Sequence, residues 1–238
     1  MTEAPDAPST PDRGLTVVLL GLTAATGLID AICYLGMGHV LVANMTGNVV
    51  FLGFALAGAK GFSIAAFLVA LGSFLFGAGL GGRLAVSLSA DRRRWLVVAS
   101  GAQLAFAAIA AVASATNVMG PSGPTRFGLI ALLGVGTGVQ NATMRRLAVP
   151  DLTTTVLTMT LTGLASDSSL AGGAHVRRSR RIASALAMLA GAAVGGAVMT
   201  NLGFTPTLLL LTAVLAAVTI GFARWAPAST PAQPLHTE

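Results

Sequence analysis

The chain has 238 residues, of which 54% are hydrophobic and only 9% charged, with a mean hydropathy of +0.81. A water-soluble domain carries roughly 25% charged residues, so this composition excludes a soluble enzyme. The net charge of +6 comes from Arg clusters at segment ends rather than from a basic face with aromatics, which argues against nucleic acid as a partner, and a single cysteine, Cys33, excludes a disulfide scaffold.

What remains is an all-α polytopic membrane protein. Residues 1–14 are polar and Pro-rich and read as a disordered tail. Apolar runs near the length of a membrane span, about 20 residues, then follow at 15–35, 62–82, 95–116, 127–144, 182–202 and 206–225. Two further stretches, 40–59 and 152–171, are apolar but carry polar, Gly-broken centres. Residues 226–238 read as a second disordered tail. The expected layout is one membrane domain over 15–225, with pseudo-repeats at about 15–116 and 127–225.

Charge bias arbitrates between six and eight full spans, because Lys and Arg prefer short cytoplasmic loops. If all eight stretches cross, the basic residues divide almost evenly between the two sides. If 40–59 and 152–171 enter and return, only Lys60 and Arg126 lie outside and the other twelve lie inside. We therefore expect six full spans and two re-entrant or broken elements. Both termini then face the cytoplasm, in a bacterial inner membrane.

The order of elements repeats. Thr26-Gly27-Leu28-Ile29-Asp30-Ala31 matches Thr137-Gly138-Val139-Gln140-Asn141-Ala142 at an offset of 111. A broken element follows each, and a Gly-rich span follows each broken element, with Gly77 and Gly195 in corresponding places. Three full spans per half would set the halves upside down to one another, an inverted repeat of the kind common in secondary transporters.

The run from Asp30 through Tyr34, Gly38 and His39 to Ala43-Asn44-Met45-Thr46-Gly47-Asn48 resembles the hallmark of the YoaK-type family of bacterial membrane proteins. Gly138 to Ala142, Arg145-Arg146-Leu147, Thr153 to Thr155 and Leu161-Thr162-Gly163 fit the same pattern. The resemblance covers most of residues 15–225. It implies a bacterial polytopic helical protein and assigns no substrate and no catalytic residue.

Asp30 is the sharpest candidate, since an ionisable group inside a span is expensive and marks function by default. Thr23, Thr26, Gly27, Cys33 and Tyr34 share its helical face by three- and four-residue spacing. It reads either as a proton or cation site or as a buried Asp tied to a helix end or to an Arg for assembly. Asn141 is its counterpart, and a structural Asn is the alternative there. Asn44, Thr46, Gly47 and Asn48 in one broken element, and Thr155 in the other, supply hydroxyls and amides to hold a polar solute. Helix glue is the competing reading. His39 and Asp167 are candidates for a gate or pH sensor, against simple loop and cap roles. Gly77/Gly81, Gly134/Gly138 and Gly191/Gly195 let helices approach closely, within the chain or across a homodimer. No His, Cys or carboxylate set stands at metal-ligand spacing, and no nucleophile elbow, zincin or P-loop motif is present. The expectation is a small secondary transporter for a small polar solute or cation, proton-coupled through Asp30, needing no cofactor. A lipid-handling membrane enzyme and a non-catalytic assembly or sensor protein remain as alternatives.

Overall fold

The computed structural model describes residues 13–147, Thr162 and 178–225. Among them are seven helices: α1 (Arg13–Gly36), α2 (Met45–Leu56), α3 (Ile64–Ser87), α4 (Arg92–Ala115), α5 (Arg126–Leu147), α6 (Arg178–Leu202) and α7 (Phe204–Arg224). All but α2 are long and apolar enough to cross a membrane. The 12 residues of α2 reach about 18 Å at 1.5 Å per residue, well short of a hydrocarbon core of about 30 Å. The ends are set locally. Ser63 accepts from the Ala66 amide at 3.3 Å to start α3, and Asp91 from the Arg94 amide at 2.9 Å to start α4. Gly203, at φ 93°, makes a one-residue turn between α6 and α7 that a side chain would strain.

Close approaches fix the directions. Gly191 packs on Ala24 and Gly195 on Leu28 and Ala31, so α6 runs parallel to α1. Gly77 packs on Val135 and Gly81 on Val139 and Ala142, so α3 runs parallel to α5. Antiparallel to α4, α7 touches it at both ends: Arg93 donates to the Ala223 carbonyl, and Ser114 meets Thr205 at 2.7 Å. Gly21 against Val218 and Gly36 against Phe204 make α7 antiparallel to α1 as well. Gln103 and Phe106 lie beside Gly136, and Gln103 bonds Gln140, which sets α5 against α4. Hence α1, α4 and α6 run one way and α3, α5 and α7 the other. The chain from the end of α1 to the start of α3, with α2 inside it, leaves and returns on one face. Likewise α5 ends and α6 begins on one face, the opposite one. That face carries Arg13, Arg83, Arg92 to Arg94, Arg145, Arg146, Arg180, Arg181 and Arg224, whereas Lys60 and Arg126 stand on the other.

The packing partners are not neighbours in sequence. The two most intimate contacts join α3 to α5 and α1 to α6, while α1 barely touches α5. These two pairs pack alike. A Cβ on Gly27 would strike the backbone of Met188 and Ala192, and one on Gly138 the backbone of Phe74 and Ala78. A Cβ on Gly191 would strike Ala24, and one on Gly77 would strike Val135. Gly77 thus matches Gly191 and Gly81 matches Gly195. The expected equivalence of Gly77 with Gly195 is one helical turn out, because α3 and α6 align at an offset of 114 while α1 and α5 align at 111. Of the six long helices, α1 and α5 are the most enclosed and α6 the least. Leu75, Phe76, Ile109, Leu186, Leu189 and Leu209 are exposed on the outer surface, as side chains facing lipid would be.

Candidate functional site

The site is built where α1 ends and α2 begins. Asp30, 7% exposed, accepts from the Ala43 amide at 3.1 Å through Oδ1 and from the Asn44 side-chain amide through Oδ2. Asn44 immediately precedes the first turn of α2. A carboxylate beside a helix N-terminus is favoured by the unpaired amides and the helix dipole there. Asn48, fully buried, reaches back across the loop to Leu41. Its Oδ1 accepts from the Leu41 amide at 2.9 Å, and its Nδ2 donates to the Leu41 carbonyl at 2.7 Å. Thr137 on α5 donates to the Val42 carbonyl at 2.8 Å. Side chains from three helices therefore satisfy the backbone of 41–43. Unwound chain at membrane depth requires this, since no lipid group can substitute.

The break was expected at Thr46-Gly47-Asn48. It lies instead at 37–44, and Thr46, Gly47 and Asn48 form the opening turn of α2. The Asn48 clamp on Leu41 compensates for the poor helix propensity of Gly47 and Asn48. Asn44 and Asn48 do not share a helical face: one turns to Asp30 and the other to Leu41. The Thr46 side chain is exposed, and Gly47 lies close under Leu41. Tyr34 and His39 sit together at the exposed mouth, edge to face with centroids 5.0 Å apart, and His39 holds φ 64° in the turn after α1. Phe51 and Phe62 continue this aromatic cluster toward α3. Asn141 is buried on α5, where its amide donates to the Thr137 carbonyl at 2.9 Å. Thr155 and Asp167, with most of 152–171, lie outside the described residues.

Sequence reasoning missed the polar centre of the bundle. Gln103 on α4 donates to Gln140 on α5 at 2.5 Å, and Gln140 donates to the Thr26 hydroxyl on α1 at 2.9 Å. All three are buried. Gln140 stands within the repeated motif and Gln103 interrupts an apolar span, so each carried a signal: a polar side chain in a span faces the interior. One bond, Gln140 to Thr26, crosses directly between the α1–α6 pair and the α3–α5 pair; Asp30 and Thr137 meet the 42–44 loop, and Asn141 bonds within α5, and these buried groups together make up a polar seam. Among the described residues no group of three His, Cys, Asp or Glu side chains could hold a metal ion.

A family described as a protein of unknown function (DUF1275) matches residues 18–221, nearly the whole bundle. The chain belongs to the DUF1275 family. It is similar to the UPF0700 transmembrane protein YoaK of Bacillus subtilis (strain 168), with 34% identity over 157 residues, 66% of this chain and 68% of the relative. No solved structure matches significantly. This DUF1275 chain is an all-helical polytopic membrane protein with six candidate spans among its described residues. The family match over residues 18–221 spans the Asp30–Asn44 contact and both glycine-packed pairs.

Proposed function

We propose that this protein is a small secondary transporter whose pathway opens along the polar seam between the α1–α6 and α3–α5 pairs. The observation that carries the reading is the matched packing. Two glycine-tight parallel pairs repeat each other's contacts, and the thin interface between their central helices is lined by buried polar groups. We read the halves as an inverted repeat on the same ground. The moving bodies then differ from the sequence halves, because each tight pair takes one helix from each half. The substrate class is a small polar solute. Asp30 couples its movement to protons as a latch. A carboxylate accepts charge-assisted bonds from both Ala43 and Asn44; a neutral carboxyl keeps them only as weaker neutral bonds, with the Asn44 side chain turned over, and the loop loosens.

Orientation follows the charge bias. The Arg-rich face is cytoplasmic and both termini lie there, in a bacterial inner membrane. Single cysteines at Ala59 and Ala90, in a Cys33→Ala background, test this in intact cells. An impermeant maleimide should label 59 and spare 90 until the membrane is opened; the reverse pattern would invert the orientation. The transport reading is tested in proteoliposomes carrying a pH dye and challenged with a panel of small polar solutes. At least one solute gradient should drive proton movement, and Asp30→Asn should abolish that coupling. Solute flux that is undiminished in Asp30→Asn and indifferent to a proton gradient removes the latch role.

A further inference from the structure

Arg126 opens α5 on the face opposite the Arg clusters, and its guanidinium reaches the loop that leaves α1. One terminal nitrogen stands 3.4 Å from where a Cβ on Gly38 would lie, and the Cζ lies 5.2 Å from the centroid of the Phe127 ring. Since α1 and α5 belong to different glycine-tight pairs, this side chain spans the outer end of the seam between them. The cation is unmatched. Its Nε is buried without a hydrogen-bond partner, and the two terminal nitrogens, which are not buried, have no acceptor among the described residues. Asp30 and Asp91 are the only carboxylates among those residues. Asp91 caps α4 on the opposite face, and Asp30 is held by Ala43 and Asn44. The Phe127 ring faces the charge but accepts no hydrogen bond of full strength. The carbonyl end of α1 favours a nearby cation, yet no carbonyl there bonds Arg126. The guanidinium thus gives up part of its hydration with no acceptor in exchange. A carboxylate or phosphate edge matches its parallel N–H groups with two charge-assisted bonds. Lys60, the other cation on this face, is exposed in the loop before α3.

We propose that Arg126 is the recognition residue of an oxyanion site at the outer end of the seam, taking a carboxylate or phosphate group carried by a free solute or by a lipid headgroup. For a free solute the site names the substrate class and to that extent rests on the transporter reading, so binding and flux are measured apart. Binding is read as the shift in the thermal unfolding midpoint of the purified full chain in a neutral, phosphate-free detergent. Sodium phosphate and sodium acetate are each compared with sodium chloride at equal ionic strength. At least one of the two anions should raise the wild-type midpoint by at least about 3 °C at saturation. Arg126→Gln should lose that shift, Arg126→Lys should lose most of it because an ammonium lacks the planar fork, and Lys60→Gln should keep it. Arg126→Lys decides alone if the glutamine variant does not fold by circular dichroism. Bound lipid is counted by native mass spectrometry after phosphatidylglycerol is added. One phosphatidylglycerol held by the wild type and missing from the Arg126 variants identifies the headgroup as the source; an Arg126-dependent shift without such a lipid identifies a solute. An Arg126-dependent shift with no flux of labelled phosphate or acetate into proteoliposomes upholds the site and overturns the transporter reading for these anions. Shifts of wild-type size in the Arg126 variants, or a wild type with neither a shift nor an Arg126-dependent lipid, overturn the site.

Discussion

Replacing Gly77 or Gly191 with valine is expected to unfold the bundle, and by similar amounts at the two positions. Even the Cβ of an alanine would run into backbone, Val135 in one case and Ala24 in the other, and no rotamer change relieves a backbone collision. Overpacking a well-filled interior costs about 1–3 kcal/mol when side chains can shift, so these substitutions should exceed about 3 kcal/mol. Gly72 and Gly101 are the controls. A Cβ at either meets nothing within 4 Å, and alanine there should change stability by less than about 1 kcal/mol, because it improves helix propensity alone. Unfolding in mixed detergent micelles checks all four variants. Wild-type stability in Gly77→Val or Gly191→Val would contradict the packing, and tolerance at only one of the two would break the equivalence of the pairs.

The second large effect is expected at Asp30. Asparagine there keeps one acceptor oxygen for the Ala43 amide, but the Asn44 side chain must turn over to accept from its NH₂, so a charge-assisted bond becomes a neutral one. Hydrogen bonds to a charged group contribute about 1.5–3 kcal/mol against about 0.5–1.5 kcal/mol for neutral ones, and the loss falls on the 37–44 loop before it falls on the whole bundle. Val42, fully buried in that loop, reports it. As a cysteine in a Cys33→Ala background, position 42 should resist a thiol reagent when Asp30 is present. In Asp30→Asn it should react at least about tenfold faster, since 1.4 kcal/mol corresponds to a factor of about ten. Asn44→Ala should give a smaller rise in the same direction, and the double variant less than the sum, because the two groups share one contact. Equal protection in wild type and Asp30→Asn would leave the carboxylate without the latch role.

Much of this architecture was legible because the membrane is a strict solvent. Length and apolarity gave the six spans, and the split of Lys60 and Arg126 from the other basic residues gave a path that returns at 40–59. The direction of α3 relative to α1 agrees with that path. The position of the break was misread because propensity speaks for isolated helix, whereas Asn48 obtains its place in α2 from a tertiary clamp on Leu41. The helix pairing was not readable. Gly27, Gly77, Gly138 and Gly191 announce close approach, but not to which partner, and each pair joins opposite halves of the sequence. Asp30 and Asn44 were both singled out, yet their contact spans a loop and follows no helical spacing. Gln140 entered only as part of the repeated motif and Gln103 not at all, because two glutamines 37 residues apart reveal themselves as partners only after α4 and α5 are packed.

The seam is tested most directly by distances between spin labels at Leu35 on α1, Leu202 on α6 and Ile64 on α3, all exposed on one face, in a Cys33→Ala background. Leu35 to Leu202 lies within a tight pair, and Leu35 to Ile64 crosses from one pair to the other. In lipid nanodiscs, the crossing distance should show two populations whose balance shifts on acidification and stops shifting in Asp30→Asn. The distance within the pair should stay single throughout. A single, fixed crossing distance under all of these conditions, or a distance within the pair that shifts alongside it, would contradict two rigid pairs parting along a polar seam.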